Sequence, residues 1–196
     1  MTRIVLVLLV LLLAASPAAA FDANQTFKSG NTVLSIEAGG GTQNNLQNQR
    51  RQTNLDLWNI GVRYSILPFD PAGPSVLRGS FEVGLEPVFQ KYVGNKDAYW
   101  AGLSAQMKWH FLSLGRWVPY VEGGAGAGGT NLRALEIHSD FAFLLNVGAG
   151  ISYFITDNAA IYGGYRLIHV SNGNTSRPNR GFEADVGMVG FSYFFK

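Results

Sequence analysis

From Tyr99 to Leu112 the chain alternates between oily and polar positions. Tyr99, Ala101, Leu103, Ala105, Met107, Trp109 and Phe111 fall on one parity, and Trp100, Gly102, Ser104, Gln106, Lys108, His110 and Leu112 on the other. A two-residue period places these sets on opposite faces of a β-strand. The oily face lasts longer than a typical globular strand needs, and it suits the roughly 9–11 residues of a tilted strand crossing a bilayer. Phe141 to Ile155 repeats the pattern, with Phe141, Phe143, Leu145, Val147, Ala149, Ile151, Tyr153 and Ile155 on one face. Trp58 to Ile66 and Phe81 to Phe89 do likewise, opposing Asn59, Gly61, Arg63 and Ser65 in the first case and Ser80, Glu82, Gly84 and Glu86 in the second.

This spacing predicts eight strands, near 31–40, 53–67, 76–90, 98–113, 117–130, 140–156, 159–172 and 183–195. Charges on the polar parity cannot face lipid cheaply but can pair inside a closed cylinder. Glu37, Arg63, Glu82, Glu86, Lys108, Glu122 and Arg166 are expected to form such an interior network. The expected fold is therefore all-β, an eight-stranded antiparallel transmembrane β-barrel. An even strand count lets both termini lie on the periplasmic side. Connections after strands two, four and six are then periplasmic, and the mostly longer, more polar ones, such as "GTQNNLQNQRRQTN" and "NGNTSRPNRGF", face outward. Phe191, Tyr193 and Phe195 suit an aromatic girdle at the periplasmic rim.

Composition narrows the class. The chain has 196 residues, 24 glycines, 13% aromatic and 14% charged residues and no cysteine. Arg3, the apolar run Ile4 to Ala15 and the small residues Ala18-Ala19-Ala20 form an export signal, which predicts a barrel domain over 21–196 that begins at Phe21. The formal net charge of +2 and the lack of a basic stripe give no case for nucleic acid. A cysteine-free, glycine-rich exported chain has the profile of a barrel in the outer membrane of a Gram-negative cell.

The candidate chemistry lies in "HVSNGNTSRPNRGFE", residues 169–183. His169 and Ser171, two apart on strand seven, share a face with Ile161, Tyr165 and Leu167 and are expected to point outward toward lipid. Glu183 opens strand eight on its outward parity, roughly across from Ser171. A serine hydroxyl needs a base to become a nucleophile, histidine is the usual one, and a carboxylate fixes its tautomer. Asn172, Asn179 and nearby backbone N–H groups such as that of Gly173 are candidate oxyanion donors. Asp185, on the same face one step deeper, is a rival acid partner or is paired with a neighbouring strand.

His169-x-Ser171-Asn172 followed by Pro178-Asn179-x-Gly181-x-Glu183 resembles the lipid A 3-O-deacylase (PagL) family. The resemblance implies Ser171 as nucleophile, His169 as base, Glu183 as orienting acid and Asn179 as oxyanion donor. It also implies hydrolysis of the ester-linked 3-hydroxyacyl chain at the 3-position of lipid A in the outer leaflet, with no cofactor. The family pattern has glycine at the position of Asn174, with Gly173 one place earlier here. No metal-ligand cluster is apparent, and the sequence leaves open whether the barrel is a homodimer.

Other features read more plainly. His110 is expected to be an interior hydrogen-bonding residue. His138-Ser139-Asp140 are adjacent, so they alternate faces and cannot converge. Arg50 and Arg51 are candidates for touching lipid A phosphates. "GGAGAGG" at 123–129 is expected to permit close strand packing. Two other functions fit a small barrel: a non-enzymatic role in adhesion or membrane integrity, and lipid acyl transfer, which would draw a chain into the barrel.

Overall fold

The computed structural model describes residues 21–44, 46 and 52–196. The proposed export signal at 1–20, and Arg50 and Arg51, lie outside the described residues. Eight strands run β1 Thr32–Gln43, β2 Leu55–Ile66, β3 Gly79–Gly94, β4 Ala98–Phe111, β5 Trp117–Thr130, β6 Phe141–Phe154, β7 Ala159–Ser171 and β8 Phe182–Phe195. Each pairs antiparallel with its neighbours, and β1 pairs β8, closing the barrel. Closure gives every strand a partner on both sides, which an apolar surround demands. Among the described residues no helix is long and apolar enough to cross a membrane.

The two-residue period becomes an inside and an outside. In β2, burial alternates strictly along the whole strand. Outward side chains such as Ile36, Trp58, Ile60, Val62, Leu103, Leu145, Val147 and Ile161 are exposed, so the outer wall is oily. All seven charges expected inside are buried there. Arg63 bonds Glu37 at 2.7 Å and Glu86 at 3.1 Å, while Arg166 bonds Glu37 at 2.6 Å and Glu122 at 2.8 Å. Glu122 also lies 3.6 Å from Lys108, whose ammonium sits over the rings of Tyr120 and Tyr162. A Cβ on Gly61 would lie 2.1 Å from a Glu86 oxygen, so the missing side chain is the room the carboxylate occupies. The 123–129 run does bring strands close: a Cβ on Gly128 would stand 2.3 Å from the Ala101 carbonyl.

Apolar plugs lie above and below this charged layer. At one end Phe27 stacks against Phe154, Phe194 and His110. Phe27 is brought there by a short helix, α1 (Ala23–Thr26), which Asp22 caps through the N–H groups of Asn24 and Gln25. At the other end Leu55, Tyr92, Trp100, Leu132, Ile137, Val170 and Phe182 form a second cluster. The connections 131–140 and 172–181 emerge at this end, with the shorter 95–97, and β1 ends and β2 begins here. β3 starts at Gly79 rather than near residue 76: a 3-10 turn at Ser75–Leu77 occupies the approach, closed by paired bonds between Ala72 and Gly79.

Candidate active site

β7 and β8 are joined by residues 172–181, and their register makes His169 and Glu183 direct cross-strand partners. Side chains at such a pair start about 5 Å apart at Cβ. Both turn outward, and His169 Nδ1 and Glu183 Oε1 meet at 2.8 Å. Fixing Nδ1 as the proton-bearing nitrogen leaves Nε2 as the basic one. Among the described residues Nε2 has no partner, and the ring is 37% exposed while the carboxylate is 14% exposed. Ser171 follows on the same face, opposite Phe143 of β6, and its hydroxyl makes no hydrogen bond among the described residues. The imidazole and the hydroxyl thus lie two residues apart on the outward face of β7, with no hydrogen bond between them among the described residues.

The loop after Ser171 is held from within. Asn172 is fully buried, and its amide donates to the carbonyl and hydroxyl of Ser176 at 3.0 and 2.8 Å. Its backbone N–H donates to Asn179 Oδ1 at 2.9 Å, and its carbonyl accepts from the Thr175 hydroxyl at 2.8 Å. The Asn172 amide is therefore a loop brace rather than a free oxyanion donor. Tying down Asn179 Oδ1 orients that amide, leaving Nδ2 as the donor end, which reaches Asn174 Oδ1 at 3.1 Å. Gly173 and Asn174 both adopt left-handed φ, +63° and +64°, a conformation open to glycine and tolerated by asparagine. An asparagine in place of the pattern's glycine therefore leaves this turn feasible.

Gly181 has a specific duty. Its φ is +82°, and a Cβ there would stand 2.4 Å from His169 Cε1 and 3.2 Å from Glu183 Oε1. The imidazole and carboxylate can close on each other because no side chain stands between them. Beside the pair, a groove of about 300 Å3 opens on the outer wall, lined by Leu145, Val147, Leu167, His169, Glu183 and Leu46.

A protein-family model described as lipid A 3-O-deacylase (PagL) matches residues 59–192. The chain belongs to that family. Its fold is similar to that of the outer membrane enzyme PagL, with a TM-score of 0.62 at 16% identity, covering 80% of this chain and 97% of the other. It is also similar to Neisserial surface protein A, with a TM-score of 0.57 at 15% identity, covering 85% of this chain and 100% of the other. No curated protein matches the chain. Family and fold make this an outer-membrane β-barrel.

Within this family frame the remaining candidates sort themselves. Asp185 does not approach the imidazole: it accepts from the Tyr165 hydroxyl and, at 2.6 Å, from the Asn44 amide. His138, Ser139 and Asp140 diverge. Ser139 donates to the Phe141 carbonyl at 2.6 Å and Asp140 pairs with Arg133, while the His138 backbone accepts from the Ser176 hydroxyl. Two features of the site have no signature in the alternation of faces: the space that Gly181 leaves for the imidazole, and the bracing of the 172–181 loop by 131–140. Neither signal is periodic, so neither could be read from the pattern of faces.

Proposed function

We propose that the chain is a serine esterase that cleaves the ester-linked 3-hydroxyacyl chain at the 3-position of lipid A. In this reading Ser171 Oγ attacks the ester carbonyl as His169 Nε2 takes its proton. The tetrahedral intermediate collapses, and the imidazolium returns that proton to the departing sugar oxygen. Water, deprotonated by the same nitrogen, then attacks the acyl-serine, and as that second intermediate collapses the acyl–Oγ bond breaks and the imidazolium returns the proton to Ser171 Oγ. The products are a free 3-hydroxy fatty acid and a lipid A with a hydroxyl at the 3-position. Glu183 holds the tautomer and offsets the charge that forms on the ring. The Gly173 N–H and Asn179 Nδ2 are the donors for the developing oxyanion, each of a kind commonly worth about 3 kcal/mol in the transition state.

The observation that carries this is the 2.8 Å His169–Glu183 contact on the barrel's outer face with Ser171 beside it. A membrane-embedded ester can reach an outward site without leaving the leaflet. The groove past Leu145, Val147 and Leu167 suits the acyl chain, and it leads down the wall from the ring. The loop-bearing end is then extracellular, the site lies at the outer leaflet, and residues 1–20 are the export signal. The acyltransferase reading wants space inside the barrel for a chain. That space is filled by the charged layer and its apolar plugs.

The test is the mass of lipid A from a host that lacks this activity and expresses the chain. The native chain should shorten lipid A by one 3-hydroxyacyl group, and Ser171→Ala should leave the mass unshifted while the barrel still folds. Unchanged deacylation by the Ser171 variant would remove it as nucleophile.

A further inference from the structure

Glu136 is a fully buried carboxylate in an extramembrane loop, and the reaction above makes no use of it. Burying a charge there is costly unless its oxygens are satisfied. Oε1 accepts from the Thr53 backbone N–H at 3.0 Å and Oε2 from the Thr53 hydroxyl at 2.7 Å. That hydroxyl in turn accepts from the Leu135 N–H at 3.0 Å. Thr53 stands just ahead of β2, so these bonds tie the 131–140 loop to the barrel wall. The next residue, Ile137, is sunk in the apolar plug beneath.

The backbone of residues 136–138 then lies against the site loop. Arg180 N–H donates to the Glu136 carbonyl at 2.7 Å, Ile137 and Asn179 form an antiparallel bridge, and His138 N–H donates to the Pro178 carbonyl at 3.3 Å. Ser176 adds its hydroxyl to the His138 carbonyl at 2.5 Å. In such a pairing a slip by one residue turns every side chain to the opposite face. Asn179 would then swing away from the Asn172 N–H that orients it.

We propose that Glu136 is a positioning residue: by clamping Thr53 it fixes the register in which residues 136–138 hold residues 178–180, and so the aim of the Asn179 amide. Its catalytic consequence rests on the deacylase reading; its structural consequence does not. The experiment compares Glu136→Ala, Glu136→Gln and Thr53→Val with the native barrel in detergent micelles. Folding is checked by heat-modifiable gel mobility, backbone hydrogen exchange is followed over 172–181, and kcat and KM are measured on lipid A in mixed micelles.

Glu136→Ala should speed exchange in 172–181 and lower kcat roughly ten- to a hundred-fold with KM little changed, as misplacement of a catalytic group does. Glu136→Gln should recover most of both, because its amide oxygen still accepts from Thr53 N–H. Thr53→Val should fall between them. Native exchange over 172–181 in a folded Glu136→Ala barrel, or a rise in KM alone, overturns the proposal. If Glu136→Ala does not fold, Thr53→Val carries the same test. A native chain with no deacylase activity overturns the function, whereas the exchange comparison still decides the positioning.

Discussion

The barrel holds two histidine–glutamate pairs of nearly equal length, one on each side of its wall. Outside, His169 meets Glu183 at 2.8 Å with Ser171 on the same face. Inside, His110 meets Glu82 at 2.7 Å with Ser80 as its cross-strand partner. Both sets contain the residue types of a hydrolytic triad, and contact distance does not separate them. Two other things do. The inner carboxylate holds Nε2, whereas the outer one holds Nδ1 and leaves Nε2 toward the surface. The inner imidazole, carboxylate and hydroxyl are sealed beneath Phe27, Tyr120 and Phe194, next to the ammonium of Lys108. An imidazole–carboxylate contact is thus no mark of a reaction. Which ring nitrogen stays open, and onto which medium, carries the distinction.

Removing each histidine is the strongest way to break that comparison. His169→Ala should cut deacylation by about a thousand-fold or more, since the base of such a triad cannot be spared. The barrel should keep its native unfolding midpoint, because the ring packs on the outer surface. His110→Ala should do the reverse. It strands the Glu82 carboxylate in the interior, a loss on the order of 3 kcal/mol in unfolding free energy, with activity per folded barrel preserved. Urea unfolding in micelles and lipid A mass spectrometry read the two effects separately. Loss of turnover in a well-folded His110 variant would mean that the inner pair takes part in the chemistry.

A smaller perturbation sharpens the outer half of the comparison. Gly181→Ala places a methyl 2.4 Å from the His169 ring at a φ of +82°. The imidazole must shift or the loop must move, and displacement near 1 Å commonly costs about a hundred-fold in rate. Gly187, on the outward face of β8, offers the control: a Cβ there meets nothing nearer than the Gly40 carbonyl at 3.8 Å. Gly187→Ala should leave kcat unchanged. Equal losses in the two would trace the defect to β8 and its approach as a whole rather than to the closed His169–Glu183 contact.

The same contrast explains how far the sequence could be read. Faces follow a period of two, so the sequence alone assigns Arg63, Glu82 and Arg166 to the interior, and Leu145 and Ile161 to the lipid side. That His169, Ser171 and Glu183 share the outer face of two paired strands follows from the same period plus one antiparallel turn, but the register sets Glu183 across from His169 rather than Ser171, because the ladder ends at Val170 and Phe182. The loop did not yield in this way. Asn172 looked like a donor toward substrate, yet its amide is turned inward onto Ser176. The clamp from Glu136 to Thr53 joins residues 83 positions apart, and no local pattern encodes such a bond. β3 began late because the 3-10 turn at Ser75–Leu77 closes a connection that alternation alone extended.

Asp185→Asn is the mildest test and the one that separates the two outward carboxylates. Glu183 and Asp185 lie on one face of β8, one step apart, so strand geometry by itself allows either to serve His169. Their partners differ. Glu183 is paired across the strands with His169, whereas Asp185 stands across from Leu167 on β7 and Thr42 on β1. One Asp185 oxygen takes the Tyr165 hydroxyl and the other takes the Asn44 amide at 2.6 Å. An asparagine can still accept from Tyr165, and the Asn44 amide can turn to present its oxygen to the new N–H. The fold should therefore persist, and the loss in deacylation should be smaller than the roughly hundred-fold expected of Gly181→Ala. Glu183→Gln, which weakens the hold on the histidine tautomer, should cost far more. If the two substitutions cost the same, the charge beneath the site acts on the imidazole as strongly as the carboxylate that touches it. The distinction between an outward pair that works and a neighbour that only anchors the β1 end would then fail.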